Sequence, residues 1–377
     1  MGVNKQLRVL LVSPKPPPVG GIAAWTVNLL AYASSRPEVE LIHLNSAIKF
    51  RSITQFGIIR RIWAGIGEAA YLACRFVVAM IHKRPQVIHH TSSASLGLFR
   101  DWLLLKLAQW YKIKFIVHFR FGRIPDLANK GNWEWRILRC VVRCAARAMV
   151  IDRLSLEALQ AAGLMNVCLV PNPMSQELEF LAKDSHGTGA SMGGSNKILF
   201  VGHIIPDKGV RELVGACTRL PDEATLRLVG PVDEDFRREL LTLSATRAGD
   251  WLVFVGTKSA DEVQEELRQA TMLALPSYTE GFPNVVIEAM AAGCPVVATP
   301  VGAISDMLDF DAQNPAGMCV SVRDVDALAN AIKSLMDNPQ QRLSMAMRAR
   351  EKVKLYSMKV VFNQYLTVWD KVVNSDF

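Results

Sequence analysis

Cysteine is sparse, and none of it stands at metal-ligand spacing. The seven residues are Cys74, Cys140, Cys144, Cys168, Cys217, Cys294 and Cys319. Only Cys140 and Cys144 fall one helical turn apart, and no His or second Cys pair completes a site, so all seven read as small apolar residues of a reducing compartment. A Gly-x-Gly-x-x-Gly turn, a Walker lysine loop and a Gly-x-Ser-x-Gly elbow are all missing. Their absence argues against dinucleotide enzymes, P-loop kinases and serine hydrolases. No repeat recurs at solenoid period, and no basic-aromatic signature of RNA or DNA binding is present.

Long uninterrupted apolar runs are lacking too. The stretch Ile62 to Ile81 comes nearest, but Glu68 and Arg75 stand inside it, which disfavours a spanning helix. Val9 to Val12 is too short for the core of a signal peptide and reads as a strand. Met1-Gly2 is followed by Gln6 where a myristoylation signal needs Ser or Thr. The expected setting is therefore cytoplasmic.

What the chain does have is length, apolar content and uneven charge. Its 377 residues, 50% of them apolar, suffice for two ordinary domains. Residues 1–190 carry 24 Lys and Arg against 11 Asp and Glu, whereas residues 191–377 carry 19 against 24. A basic half suits an anionic partner. Lys49-Phe50-Arg51 and Arg60-Arg61-Ile62-Trp63, followed by an apolar helix, point to an anionic membrane surface, with the chain peripheral at the membrane's inner face.

Short apolar strands alternate with helical stretches: Leu7–Ser13, Val39–Asn45, Gln86–Thr91, Lys114–Phe119, Ala148–Ile151 and Val167–Val170. The alternation restarts at Lys197–Val201, Thr225–Val229, Trp251–Val255, Met272–Leu275, Pro295–Ala298 and Met318–Val322. Continuous apolar strands separated by helices predict parallel sheets covered on both faces. The predicted fold class is α/β, two Rossmann-like doubly wound domains facing a cleft. The expected divisions are a first domain over 1–183, a linker over 184–196 rich in Ser, Gly and Thr, a second domain over 197–357, and a C-terminal helix over 358–377 that crosses back to the first domain.

Glu280-Gly281-Phe282-Pro283-Asn284-Val285-Val286-Ile287-Glu288 follows the strand Met272–Leu275. A helix is predicted from Val285 to Ala292, stopped by Gly293 and Pro295. The amide groups near Asn284, Val285 and Val286 form a ready anion site, because a helix start carries unpaired donors and a partial positive charge. Flanking carboxylates suit sugar hydroxyls, which need charged acceptors.

This segment resembles the donor-binding signature of retaining glycosyltransferases of family 4, the glycosyl transferases group 1, which have the GT-B fold. The resemblance implies that Glu288 holds the donor ribose, that Glu280 reaches the transferred sugar, and that Gly281 and Phe282 belong to the same grip. It extends to Val201-Gly202-His203-Ile204-Ile205-Pro206-Asp207-Lys208-Gly209, where Lys208 matches a diphosphate-binding Lys. His203 stands where the family usually has Arg, and a His lacks both the guaranteed charge and the fork of a guanidinium.

Pro16-Pro17-Pro18-Val19-Gly20-Gly21-Ile22 matches the family's first-domain glycine loop, so Gly20 and Gly21 are implied to face the donor phosphates. His118, at the end of a strand, is implied to approach the anomeric carbon, with Arg120 and Arg123 as contacts to an acceptor phosphate. His118, Glu280 and Lys208 are thus the expected catalytic residues. The acidic triplets Asp233-Glu234-Asp235 and Asp309-Phe310-Asp311 read as structural, and neither a metal nor a cofactor is expected. Pro171-Asn172-Pro173 reads as a structural turn.

The implied function is transfer of a sugar from a nucleotide diphosphate to a lipid-linked or polysaccharide acceptor, as in bacterial surface-glycan and lipopolysaccharide assembly, without nucleic acid. Two alternatives stay open at this point. One is a nucleotide-sugar epimerase or hydrolase of the same shape, and the other, prompted by His203, is a catalytically silent nucleotide-sugar-binding subunit.

Overall fold

A computed structural model describes residues 6–17, 20–47, 58–184 and 196–375. The basic segment Lys49-Phe50-Arg51, the side chains of Arg60, Arg61 and Trp63, Pro18 and Val19, and linker residues 185–195 lie outside the described residues. The chain divides into two compact units, Met1–Pro173 with Met358–Phe377, and Met174–Ser357.

In the first unit the strands are β1 (Leu7–Ser13), β2 (Val39–Asn45), β3 (Val87–Ser92), β4 (Lys114–Phe119), β5 (Arg147–Val150) and β6 (Val167–Leu169). They form one parallel sheet in the order β2-β1-β3-β4-β5-β6. Side-chain alternation decides which layer each residue joins. Leu10 and Val12 of β1 pack with Phe76, Leu105 and Leu138 on one face, and Val9 and Leu11 pack with Trp25, Leu29 and Trp369 on the other. Apolar strands are needed because both faces are covered, and each fully buried side chain of this size contributes about 1.5–3 kcal/mol.

The C-terminal helix Met358–Asn374 belongs to this unit. Its buried residues Val361, Phe362, Tyr365, Trp369 and Val372 recur at helical spacing and close the second face.

The second unit holds β7 (Lys197–Val201), β8 (Thr225–Val229), β9 (Leu252–Gly256), β10 (Met272–Leu275), β11 (Val296–Ala298) and β12 (Met318–Cys319). They pair in parallel in the order β12-β11-β10-β7-β8-β9. The helix Gln176–Asp184, ahead of the expected linker, groups with this unit and packs on the helix Asn284–Ala292. β12 is shorter than the predicted Met318–Val322. The Val320 amide still reaches the Ala298 carbonyl (3.0 Å), but the chain then turns through Ser321 to Asp324, and Arg323 adopts a φ of 63°. The two sheets are those of two Rossmann-like, doubly wound domains, the GT-B fold.

Each sheet has a point at which strand order reverses, between β1 and β3 in the first unit and between β7 and β10 in the second. Crevices outside the strands' carboxyl ends at such points are where ligands bind in open α/β sheets. The loops after β7 and β10 carry His203, Lys208 and Glu280.

Candidate active site

In the second unit two loops are held together by backbone constraints. Lys208 ends a short 3-10 turn after β7, and Gly209 follows with a φ of 65°. A side chain at Gly209 would put its Cβ 2.1 Å from the carbonyl oxygen of Pro276, the residue after β10. The Tyr278 amide donates to the Asp207 carbonyl at 2.9 Å, a second tie between the loops. On the other side Gly302, φ 57°, lies against the carbonyls of Glu280 and Gly281, and the Ala303 amide donates to Gly281 at 2.8 Å.

The cradle fixes Glu280. Its Oε1 accepts from Lys208 Nζ at 2.7 Å and from Ser277 Oγ at 2.7 Å. Ser277 is itself held, since Thr299 Oγ1 donates to its carbonyl at 2.6 Å. Lys208 and Glu280, expected separately as a phosphate cation and a sugar acceptor, therefore form one ion pair. The Lys208 charge is partly solvent-facing while the Glu280 carboxylate is largely enclosed. Ser277 was not singled out from the sequence, although its place three residues before Glu280 was visible.

The helix after Glu280 begins at Asn284, with Pro283 at its cap and no side-chain cap. Its start is one residue earlier than predicted. The Val286 amide turns back to the Pro283 carbonyl at 3.1 Å, which corrects the expectation that it stays free. Among the described residues the Asn284 and Val285 amides have no acceptor, and these two remain as the anion-facing donors. The helix stops at Gly293, φ 70°, as its sequence predicts. Glu288 follows in the second turn, half-buried, and burial raises its carboxyl above the ordinary carboxylate range. No donor among the described residues meets it. Phe282 is buried edge-on against Tyr356 at 5.5 Å, so it anchors the loop. His203 is exposed between Gly202 and Ile204.

In the first unit the switch-point residues are aromatic and cationic. Gly20 and Gly21 are exposed at the start of the helix Gly21–Ala33, with open space where a Cβ would stand. His118 on β4 is fully buried, at ring distances of 5.8 Å from Trp25 and 5.9 Å from Tyr365. A hydrogen-bond chain fixes its protonation. Trp369 Nε1 can only donate, and it does so to His89 Nδ1 at 3.1 Å, so the His89 proton resides on Nε2. That proton is shared with His118 Nδ1 at 3.1 Å, which leaves the His118 proton on Nε2. His118 Nε2 is buried and has no hydrogen-bond partner among the described residues. Burial, reinforced by the Arg120 charge, lowers His89 to about 3 and His118 well below the usual histidine value, so both rings are neutral.

Arg120 lies with its guanidinium carbon 4.0 Å from the Trp25 ring centre. Its Nη2 donates to Asn172 Oδ1 at 2.7 Å, which gives the Pro171-Asn172-Pro173 turn a task beyond turning. Nε and Nη1 are buried with no partner at hydrogen-bonding geometry among the described residues, and burial, opposed by the nearby Tyr365 hydroxyl, lowers this Arg to about 10. A buried guanidinium without a carboxylate favours an incoming anion. Arg123 is committed differently, to a fork with Glu134 at 2.7 and 3.3 Å. His89, Trp369, Tyr365 and Trp25 escaped sequence reading because nothing local marks them; only the fold brings residues 340 positions apart into contact.

The leading residue of each acidic triplet has a structural contact. Asp233 caps its helix by accepting from the Asp235 amide, and Asp309 pairs with Lys352. Among the described residues no group of three or more His, Cys, Asp or Glu is placed to hold a metal ion.

Residues 183–352 match the family described as glycosyl transferases group 1. An N,N'-diacetylbacillosaminyl-diphospho-undecaprenol alpha-1,3-N-acetylgalactosaminyltransferase of Campylobacter jejuni is 29% identical over 182 residues, 47% of this chain and 45% of that relative. The chain spans about half the length of the curated relatives it matches. Among solved structures, a sucrose-phosphate synthase of Thermosynechococcus elongatus superposes with a TM-score of 0.75 at 19% identity, over 97% of this chain and 99% of that one. Anabaena HepE in complex with UDP and glucose does so with a TM-score of 0.68 at 16% identity, over 97% and 100%. The match over residues 183–352 lies within the second unit, in a chain of GT-B fold.

Proposed function

We propose that the chain is a retaining glycosyltransferase of family 4, transferring a hexosyl or related sugar from a nucleoside-diphosphate donor to a lipid-linked or polysaccharide acceptor in bacterial surface-glycan assembly. The observation that carries the reading is the Lys208–Glu280–Ser277 cluster at the β7/β10 switch point, one turn before a helix start with two free amides. A relative that acts on a diphospho-undecaprenol and a structural neighbour holding UDP and glucose support it.

Each residue has a role in this reading. Lys208 and the Asn284 and Val285 amides neutralise the departing diphosphate without a metal, and Glu288 accepts from the ribose hydroxyls. Gly20 and Gly21 offer backbone to the donor, and His203 stands beside the diphosphate. In the second unit Glu280, held by Lys208 and Ser277, orients the sugar, and in the first unit neutral His118 offers its Nε2–H as a donor. Arg120 takes an anionic oxygen of the acceptor. The acceptor oxygen bonds to the anomeric carbon on the face from which the diphosphate leaves, and its proton passes to the leaving phosphate oxygen, so no carboxylate nucleophile is needed.

Product analysis tests this. The purified chain is incubated with UDP-, GDP- and ADP-sugars, with and without a polyprenyl-diphosphate-linked sugar. Acceptor-dependent product with retained anomeric configuration is expected, and Glu280→Gln should slow it about 100-fold. Equal sugar release without acceptor, or an epimerised sugar nucleotide, would contradict it.

A further inference from the structure

The helix Gly97–Trp110 is apolar on both faces. One face, Leu98, Leu104, Leu105 and Ala108, is fully buried in the first unit. Opposite it stand Phe99, Trp102, Leu103 and Trp110, exposed by 55%, 41%, 37% and 85%, with Leu96 just before the helix exposed by 74%. Positions 96, 99, 102 or 103, 106 and 110 fall three or four apart along the helix, so the exposed residues, with Lys106 among them, form one continuous stripe. Scattered surface hydrophobics need no explanation, but a stripe containing two Trp and a Phe does.

The stripe extends to neighbouring elements. Trp133, itself exposed, stacks on Phe99 with ring centres 5.7 Å apart. The helix Ile58–Lys83 packs beside Gly97–Trp110 and exposes Tyr71, Val78 and Ile81, again at helical spacing. Cations lie over the aromatic rings, Lys106 Nζ 5.9 Å from the Trp102 centre and the Arg75 guanidinium 5.5 Å from Tyr71. Residues 58–147 hold 16 Lys and Arg against four Asp and Glu. Two of those four acids are internal, Asp101 bonded to His90 and Glu134 to Arg123.

We infer that this face docks on an anionic lipid bilayer, the helix Gly97–Trp110 lying in the interface plane with its aromatic stripe among the acyl chains and its cations at the headgroups. Trp and Tyr beside Lys and Arg are the side chains that a bilayer interface accommodates, apolar body inward and charge outward. A helix so placed is held by apolar burial together with attraction to anionic headgroups. A second copy would bring the same excess of positive charge, which opposes self-pairing. The inference deepens the proposed function by naming the surface that reaches a lipid-linked acceptor, and it places that contact on residues 96–110 in addition to the basic stretch near residue 50.

The test is vesicle flotation of the full chain without nucleotide sugar, so the outcome does not depend on whether the chain transfers sugar. Binding is expected to vesicles of equal parts phosphatidylcholine and phosphatidylglycerol, with little to phosphatidylcholine alone. The double variant Trp102→Ser with Trp110→Ser should bind about tenfold more weakly or worse. Lys106→Gln should lose about fivefold, with a shallower salt dependence. Phe180→Ser, an exposed aromatic of the second unit, should change nothing. Brominated lipid should quench tryptophan fluorescence of the unaltered chain, a readout that needs no variant to fold. Absence of binding to anionic vesicles, undiminished binding by the double Trp variant, or a vesicle-free dimer that the double variant dissolves would each overturn the inference.

Discussion

Glu288 carries a measurable contradiction between folding and binding. Its carboxyl is desolvated with no donor among the described residues, so its folded pKa exceeds that of the unfolded chain. The native state then holds its proton more tightly than the unfolded state does, and this residue's contribution to stability falls as pH rises from the ordinary carboxylate value through the raised one. Glu288→Gln removes that cost at neutral pH. The melting temperature should rise, while affinity for a nucleotide sugar should fall about tenfold or more, since hydrogen bonds to a charged acceptor are lost. A variant that melts lower while keeping its donor affinity would show that Glu288 is only structural.

His118 offers a second residue-scale expectation. Trp369→Phe removes the one donor to His89 Nδ1, which frees that ring to move its proton there and so reverses the tautomer of His118. Nitrogen NMR of histidine-labelled protein should report His118 with its proton on Nε2 in the parent chain and a shift toward Nδ1 in the variant. The same tautomer in both would refute control by Trp369. None of this was legible in the sequence, where His118 was a strand-end His and Trp369 one aromatic of a terminal helix. Their coupling exists only because the C-terminal helix lies on the β1–β4 face.

Among elements, the strands were the most legible, because continuous apolar runs between helical stretches have few other readings. β1, β2, β4, β7, β8 and β10 begin and end where the apolar runs do. The misses are at edges. β12 shortens where the chain turns, and the helix after Glu280 starts one residue early because Pro283 already has a compatible backbone at the cap. The close approach of Gly209 to the Pro276 carbonyl was invisible in the sequence. Gly209→Ala should destabilise the second unit by at least about 2 kcal/mol, through the left-handed backbone and the clash with the Pro276 carbonyl, and should weaken donor binding by displacing Lys208. Gly249→Ala is the control. It has φ 88° with open space around it, so the strain remains but donor binding should be unaffected. Equal loss of donor binding in both variants would separate the loop tie from the function assigned to it.

At the scale of the molecule, the alternation of apolar strands with helices and its restart after the linker were sufficient to indicate two doubly wound sheets. The return of residues 358–374 to the first unit was expected, but its contribution to the surroundings of His118 was not. Among the described residues no helix is long and apolar enough to cross a membrane. The central claim concerns the second unit and its grip on a nucleotide sugar. A thermal-shift panel of UDP-, GDP- and ADP-sugars tests it most directly, because a ligand of the native state raises the melting temperature by mass action. At least one donor should raise it for the parent chain, and Lys208→Ala should abolish most of that rise. No shift with any donor at concentrations far above those of ordinary substrates would contradict the account.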